Sequence, residues 1–411
     1  MTHVTDPTPE DQMKTATAYE RPVTPQKMPW FALSLLTMIG FVLITAETMP
    51  AGLLPVMASD LDVSEGTVGQ FISVWALGTV IVTIPAISLT RNLRRKPLLL
   101  AAILGLLLSN SVTAVSTNVP LTLVARFVSG AATGIIWSMT AVYGRRISPP
   151  RRAGLALAIV STGAPIGFAL GTPLGAWVGT TFGWRWSFAG ISTVTLVVLV
   201  LMVAFLPVAH HVAASTARTR LPLRRVFLVS GIPIVLAVTA SWSLAHSTIY
   251  TYIAPYLRAT GTDLRPDFVL LVYGIASIAG LVVTAICIDR FPRALLHTSV
   301  AVFAGAAAVL LVAHDSAPAV LVATGLWGAT FGGAPAQLQS ALTISAGQQA
   351  DVANAFLPVA FNVAIFLAGI VGALLLGQFD GLVLAAAMIV LGVLALAFTV
   401  IGRRSAFAAR T

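Results

Sequence analysis

A chain that carries twelve separate apolar runs, each at least as long as the roughly 20 residues a helix needs to cross a bilayer, has little choice of fold. The runs fall at 30–57, 66–89, 97–116, 119–143, 152–180, 185–208, 226–251, 266–289, 294–313, 316–342, 351–378 and 380–402, divided by short polar or Gly/Pro punctuation. Hydrocarbon offers no partner to a backbone N–H or C=O, so runs of this kind close their hydrogen bonds internally as helices. Composition agrees, since 57% of the 411 residues are hydrophobic and only 9% charged. The expected fold class is an all-α membrane protein of twelve transmembrane helices, with the lipid bilayer as its first partner.

A net charge of +10 would suggest nucleic acid in a soluble chain, but here the charges are read by position. With the N-terminus inside, 20 of the 24 Lys and Arg fall in cytoplasmic segments, among them Arg91, Arg94, Arg95, Lys96, Arg145, Arg146, Arg151, Arg152, Arg290 and Arg293. The opposite side receives Arg185, Arg258 and Arg265 together with acidic Asp60, Asp62, Glu65, Asp263, Asp267, Asp315 and Asp380. Enrichment of basic residues inside predicts a multi-pass protein of the plasma or inner membrane with both termini cytoplasmic, and accounts for the charge without nucleic acid. Residues 1–29, polar and proline-bearing, predict a disordered cytoplasmic tail, and 403–411 a second one. The polar break at 209–225 predicts a cytoplasmic linker between an N-terminal six-helix bundle, 30–208, and a C-terminal one, 226–402. The halves suggest a duplication: Trp75 matches Tyr273, Thr90-Arg91 matches Asp289-Arg290, and Gly171 matches Gly369, at offsets of 198 or 199. Parallel repeats of this kind build two pseudo-symmetric bundles that rock about a central cavity.

Few residues inside the runs carry chemistry. Glu47 is the carboxylate that lies clear of any loop, and Arg126 is a cation within the fourth run. Intramembrane charges normally face a partner or an aqueous cavity. A carboxyl group that is hydrated in one conformation and buried in another changes its proton affinity with conformation, which is what coupling proton entry to solute exit requires. The other reading is a permanent Glu47–Arg126 ion pair that only holds two helices together. In the fifth run Gly163, Gly167, Gly171 and Gly175 recur every four residues and form a ridge another helix can approach closely, with Pro165 and Pro173 bending the helix. For substrate contacts the candidates are Trp137, Trp242, His246 and Tyr250, together with the amides Gln337, Asn354 and Asn362. Trp242, His246 and Tyr250 share one helix face; core packing and an interfacial aromatic belt involving Tyr250 and Tyr252 are the alternative. Amides bind solute hydroxyls but also glue helices together. A single cysteine, Cys287, excludes an intrachain disulfide. No phosphate-binding Gly-rich loop, His-x-x-x-His metal site or hydrolase motif is present, so no nucleotide, cofactor or metal is expected, and no enzymatic activity.

Three stretches resemble the major facilitator superfamily, and within it the twelve-helix proton-coupled efflux group of multidrug, chloramphenicol and arabinose-like sugar exporters. Gly163-Ala-Pro-Ile-Gly-Phe-Ala-Leu-Gly-Thr-Pro-Leu-Gly175 looks like that group's antiporter motif. Arg126-Phe-Val-Ser-Gly130-Ala-Ala-Thr-Gly134 is similar to its arginine-centred motif associated with proton transfer. The loop from Ser88 to Leu98 resembles the superfamily's Gly-x-x-x-Asp-Arg-x-Gly-Arg-Arg/Lys signature, but Thr90 replaces the Asp, and Ala86 and Leu93 the glycines. The second half retains Asp289-Arg290-Phe-Pro-Arg293, so Arg91, Arg94, Arg95, Asp289, Arg290 and Arg293 are candidates for a cytoplasmic gate. The resemblance spans about 30–402 and implies a monomeric alternating-access antiporter that exports a small drug or sugar in exchange for protons. In that frame Glu47 carries the proton, Arg126 is its partner and the Gly/Pro ridge is the flexing interface. An importer, an uncoupled facilitator, and a receptor or scaffold without transport are the alternatives.

Overall fold

The computed structural model describes residues 27–90, 93–208 and 231–403. Most of the expected N-terminal tail, the linker at 209–225, the start of the seventh run, Arg91 and all but Arg403 of the C-terminal tail lie outside the described residues. Twelve helices among the described residues are long and apolar enough to cross a membrane. The first six are span 1, Trp30–Thr48; span 2, Glu65–Thr83; span 3, Arg95–Val115; span 4, Val119–Arg146; span 5, Pro150–Phe182; and span 6, Trp184–Phe205. The second six are span 7, Ile232–Thr251; span 8, Pro266–Cys287; span 9, Pro292–Val312; span 10, Ala317–Ala346; span 11, Val352–Leu376; and span 12, Val383–Ile401.

Local chemistry sets where these helices start and break. The Ser64 hydroxyl accepts from the Thr67 amide at 3.1 Å, and the Asn118 side chain accepts from the Leu121 amide at 2.9 Å, so spans 2 and 4 begin on capping residues. The first run, expected as one helix over 30–57, is broken at Met49 and resumes as a short helix, Pro50–Leu61. Pro50 has no N–H to give to the Ala46 carbonyl one turn back, which is why the helix breaks there. The seventh helix ends at Thr251, the expected end of its run, and a separate short helix follows at Ile253–Thr260. In span 5 a π-helical turn, Gly167–Gly171, lies between Pro165 and Pro173.

The duplication appears as repeated packing. Gly130 of span 4 leaves no room for a Cβ against the Trp75 carbonyl of span 2, and Gly328 of span 10 is pressed in the same way on the Tyr273 carbonyl of span 8. Gly134 meets the Thr79 turn of span 2 as Gly332 meets the Ser277 turn of span 8. Each of these residues stands 198 positions from its counterpart. Across the two halves, span 2 packs along span 11, and span 8 packs on the middle and far part of span 5.

Candidate functional site

Residues from both halves converge on a cavity of about 220 Å³. Span 1 contributes Ile44, Glu47 and Thr48; span 2, Ile72 and Thr79; span 4, Thr133 and Trp137; span 5, Phe168. Span 7 adds His246, Ser247, Tyr250 and Thr251, span 10 Phe331 and Pro335, and span 11 Phe361, Asn362 and Ile365. Glu47 is the one Asp, Glu, Lys or Arg among these lining residues. Five of the sequence-derived candidates, Glu47, Trp137, His246, Tyr250 and Asn362, are brought together here.

Arg126 stands behind this wall and is fully buried. Its Nη1 donates to the Ala46 carbonyl at 2.8 Å, its Nη2 to the Glu47 carbonyl at 3.1 Å, and its Nε to the Phe71 carbonyl at 3.1 Å. The Ala46 oxygen is the one that Pro50 leaves without its helical donor, so the guanidinium satisfies the break that proline created. The guanidinium carbon lies 4.3 Å from the centre of the Trp75 ring, a cation–π contact. No ion pair between the Arg126 and Glu47 side chains occurs among the described residues. The permanent ion pair considered from sequence is therefore corrected: Arg126 grips the Glu47 main chain, and the Glu47 side chain belongs to the cavity. Thr48 and Thr172 hydroxyls, 2.6 Å apart, tie the break of span 1 to span 5.

Three of the expected substrate contacts are elsewhere. Trp242 is buried among Phe303 and Phe331, edge-on to each. The Gln337 amide donates to the Thr284 and Ser299 hydroxyls at 3.0 and 3.2 Å, joining spans 8, 9 and 10 inside the second half. Asn354 donates to the Thr343 hydroxyl at 2.8 Å. Periodicity places a residue on a face but not that face toward a cavity, and for these three the face is a helix contact. The belt reading of Tyr250 and Tyr252 is corrected as well: both are buried, and the Tyr252 hydroxyl donates to the Gly369 carbonyl at 2.7 Å. Thr48, Phe168, Phe331 and Phe361 were not singled out in the sequence, although Thr48 adjoins Glu47 and Phe168 lies inside the Gly/Pro stretch.

That stretch packs on span 1. Gly163 abuts the Thr37 carbonyl, Gly167 Ile44, Gly171 Thr45 and Gly175 Met49, each too closely for a Cβ to enter without movement. On the far side of span 5, Gly274 of span 8 lies directly against the Ala169 backbone, which is a contact between the halves.

The two faces of the molecule differ. On the face away from the basic loops, Arg258 makes a two-point ion pair with Glu65 at 2.5 Å, linking the halves. Gln70 donates to the Gly369 carbonyl at 3.0 Å, and Tyr252 reaches the Gly66 carbonyl at 3.4 Å, also across the halves. On the same face Asp60 accepts from Arg185, and from the Trp184 indole at 3.0 Å. The Arg185 hydrogen bond holds the Asp60 carboxyl below the ordinary carboxylate range, and the Glu65 hydrogen bond raises Arg258 above the usual guanidinium value. On the basic face Asp289 and Arg290 are exposed, and among the described residues neither forms an ion pair. Arg290 lies over the Phe291 ring, Arg293 lines a surface depression with Arg403, and Arg94 is exposed. Among the described residues, which do not include Arg91, Asp289 therefore has no ion-pair partner that would close the expected gate. Lys96 instead donates to the Val203 and Leu206 carbonyls at 3.1 and 2.7 Å, capping the end of span 6.

Comparison with known proteins agrees with this architecture. A family model described as Major Facilitator Superfamily matches residues 36–353. Among solved structures, the chain is similar to a bacterial homolog of the human lysosomal transporter Spinster, crystallised in an inward-facing and unoccupied conformation. That likeness has a TM-score of 0.63 at 14% identity and covers 93% of this chain and 96% of the other.

Proposed function

The chain belongs to the major facilitator superfamily of membrane transporters, and from that premise we propose that it exports a small organic solute in exchange for protons. The observation that carries this reading is Glu47, the lone formal charge on the wall of a cavity formed by both halves. A carboxyl group without an ion-pair partner, at a site whose hydration changes as the halves rock, gains and loses a proton with conformation. Arg126 supports this by fixing the main chain of span 1 just before the break, so that the Glu47 side chain is presented at a constant depth. The ion pair and hydrogen bonds that join the halves on the face away from the basic loops support a state open toward those loops. By the excess of basic residues, that side is the cytoplasm, the side from which an exporter loads. The protein would work as a monomer in the cell membrane, with both termini inside.

The test uses purified protein in liposomes that hold a pH-sensitive dye, with drugs and sugars presented as candidate solutes. Solute-driven proton flux is expected in the wild type and absent in Glu47→Gln. Solute movement without proton flux in both proteins would make the chain a facilitator.

A further inference from the structure

The part of the cavity wall that span 7 supplies carries two hydrogen-bond donors whose state the fold has already set. The Trp327 indole donates to Nδ1 of His246 at 3.0 Å. An indole nitrogen only donates, so Nδ1 of His246 accepts and the proton of the neutral ring is on Nε2. The ring is held flat as well, stacked on Phe331 at 3.7 Å with 17° between the planes and on Tyr273 at 5.5 Å with 23°. One turn along the same helix face, Tyr250 is 3% exposed and lines the cavity, and its hydroxyl makes no well-formed hydrogen bond among the described residues. The Thr48 and Thr172 hydroxyls, bonded to each other, stand close enough to interact with it but do not meet it in good hydrogen-bond geometry. Leaving a buried hydroxyl unmatched costs about 1–3 kcal/mol, and at a cavity wall that cost is relieved when an acceptor arrives. The two rings are 5.2 Å apart, so both donors can meet one acceptor group.

We infer that His246 and Tyr250 form a subsite that reads a hydrogen-bond acceptor, and that the solute is a flat aromatic molecule bearing a carbonyl or comparable oxygen. Its ring system lies against the Phe168 and Phe331 side of the cavity while its oxygen accepts from Nε2–H and O–H. Trp327 is a positioning residue: it is not a cavity-lining residue, and it selects the tautomer that makes His246 a donor. The inference rests on the cavity being the solute site, as proposed above, and is independent of proton coupling.

A matched pair of probes tests it. Acridone and 9,10-dihydroacridine share a tricyclic outline and a ring N–H, and differ in the carbonyl. Equilibrium binding to the full chain in lipid nanodiscs, with no pH gradient, is followed by acridone fluorescence and by competition with dihydroacridine. The wild type is expected to prefer acridone roughly 5–15-fold, the size of one or two net hydrogen bonds. Tyr250→Phe and His246→Phe should each cut that preference several-fold while leaving dihydroacridine affinity within about twofold. Trp327→Phe, which leaves both donors in place, should lower the preference by releasing the tautomer. Equal losses for both probes, no preference in the wild type, or no binding of either probe would overturn the inference. A wild type that shows the preference but no solute-driven proton flux would sink only the antiport reading.

Discussion

Arg126 illustrates how a single side chain resolves a conflict written into the sequence. Pro50 breaks span 1 and strands a carbonyl in a membrane interior, where an unmet polar group is costly, and the planar guanidinium reaches that carbonyl and two others at once. Lysine keeps the charge but loses the fixed fork. Arg126→Lys is therefore expected to unfold at a lower temperature, through losses of about 1–3 kcal/mol per abandoned hydrogen bond, and to transport poorly. Thermal unfolding and proton flux measured on the same preparation check this, and full recovery of both by lysine would mean that charge alone matters. Gln337 behaves differently: Gln337→Ala removes bonds to Thr284 and Ser299 inside the second half and should cost about 1 kcal/mol. The range of transported solutes should not change, and a narrowed or widened range would place Gln337 in the site after all.

Among the elements, span 5 makes the sharpest prediction. Gly171→Ala drives a methyl group into Thr45, and Gly163→Ala drives one into the Thr37 carbonyl; overpacking of this kind costs about 1–3 kcal/mol. Gly154, in the same span but with no neighbouring atom within 4 Å of where an alanine methyl would stand, should accept alanine with unfolding temperature unchanged or slightly raised. Comparing the three in one melting series separates close approach from glycine content. At this scale the sequence was most legible, because helix length, proline breaks and a four-residue glycine period are local properties. The site was less so. Glu47, Trp137, His246, Tyr250 and Asn362 were found because polar or aromatic groups in a span are rare enough to notice. Trp242, Gln337 and Asn354 looked the same in sequence and were separated from them only by helix rotation, which neighbouring helices decide. The acceptors of Arg126 were hidden for another reason: they are main-chain atoms, present at every position, and only the fold selects which three a guanidinium meets.

For the whole molecule, the balance between states depends on the face where the halves are tied together. The Arg258–Glu65 pair is partly exposed and worth about 1 kcal/mol or less, which is up to a fivefold population ratio. Glu65→Gln should shift the distribution toward opening on that face by a few-fold, read as longer distances between spin labels placed on spans 2 and 11 there; an unchanged distribution would make the pair decorative. Acid acts through Asp60 on the same face. Its carboxyl is held below the ordinary value by Arg185, so its contribution is complete at neutral pH and is lost as pH falls through the lowered folded value. A drop in unfolding temperature on acidification is expected to be smaller in Asp60→Asn than in the wild type. The glycine ridge has a mechanical consequence. At 3.6 residues per turn, a four-residue repeat overshoots by about 40° each step, so four glycines on a regular helix would wind about 120° away from their neighbour. All four meet span 1, and the wider π turn in their midst takes up part of that drift. Spans 1 and 5 are thus geared together like two meshed threads, and in the rocking on which the proposed exchange relies they would turn as one shaft, with slip at the Gly274–Ala169 contact.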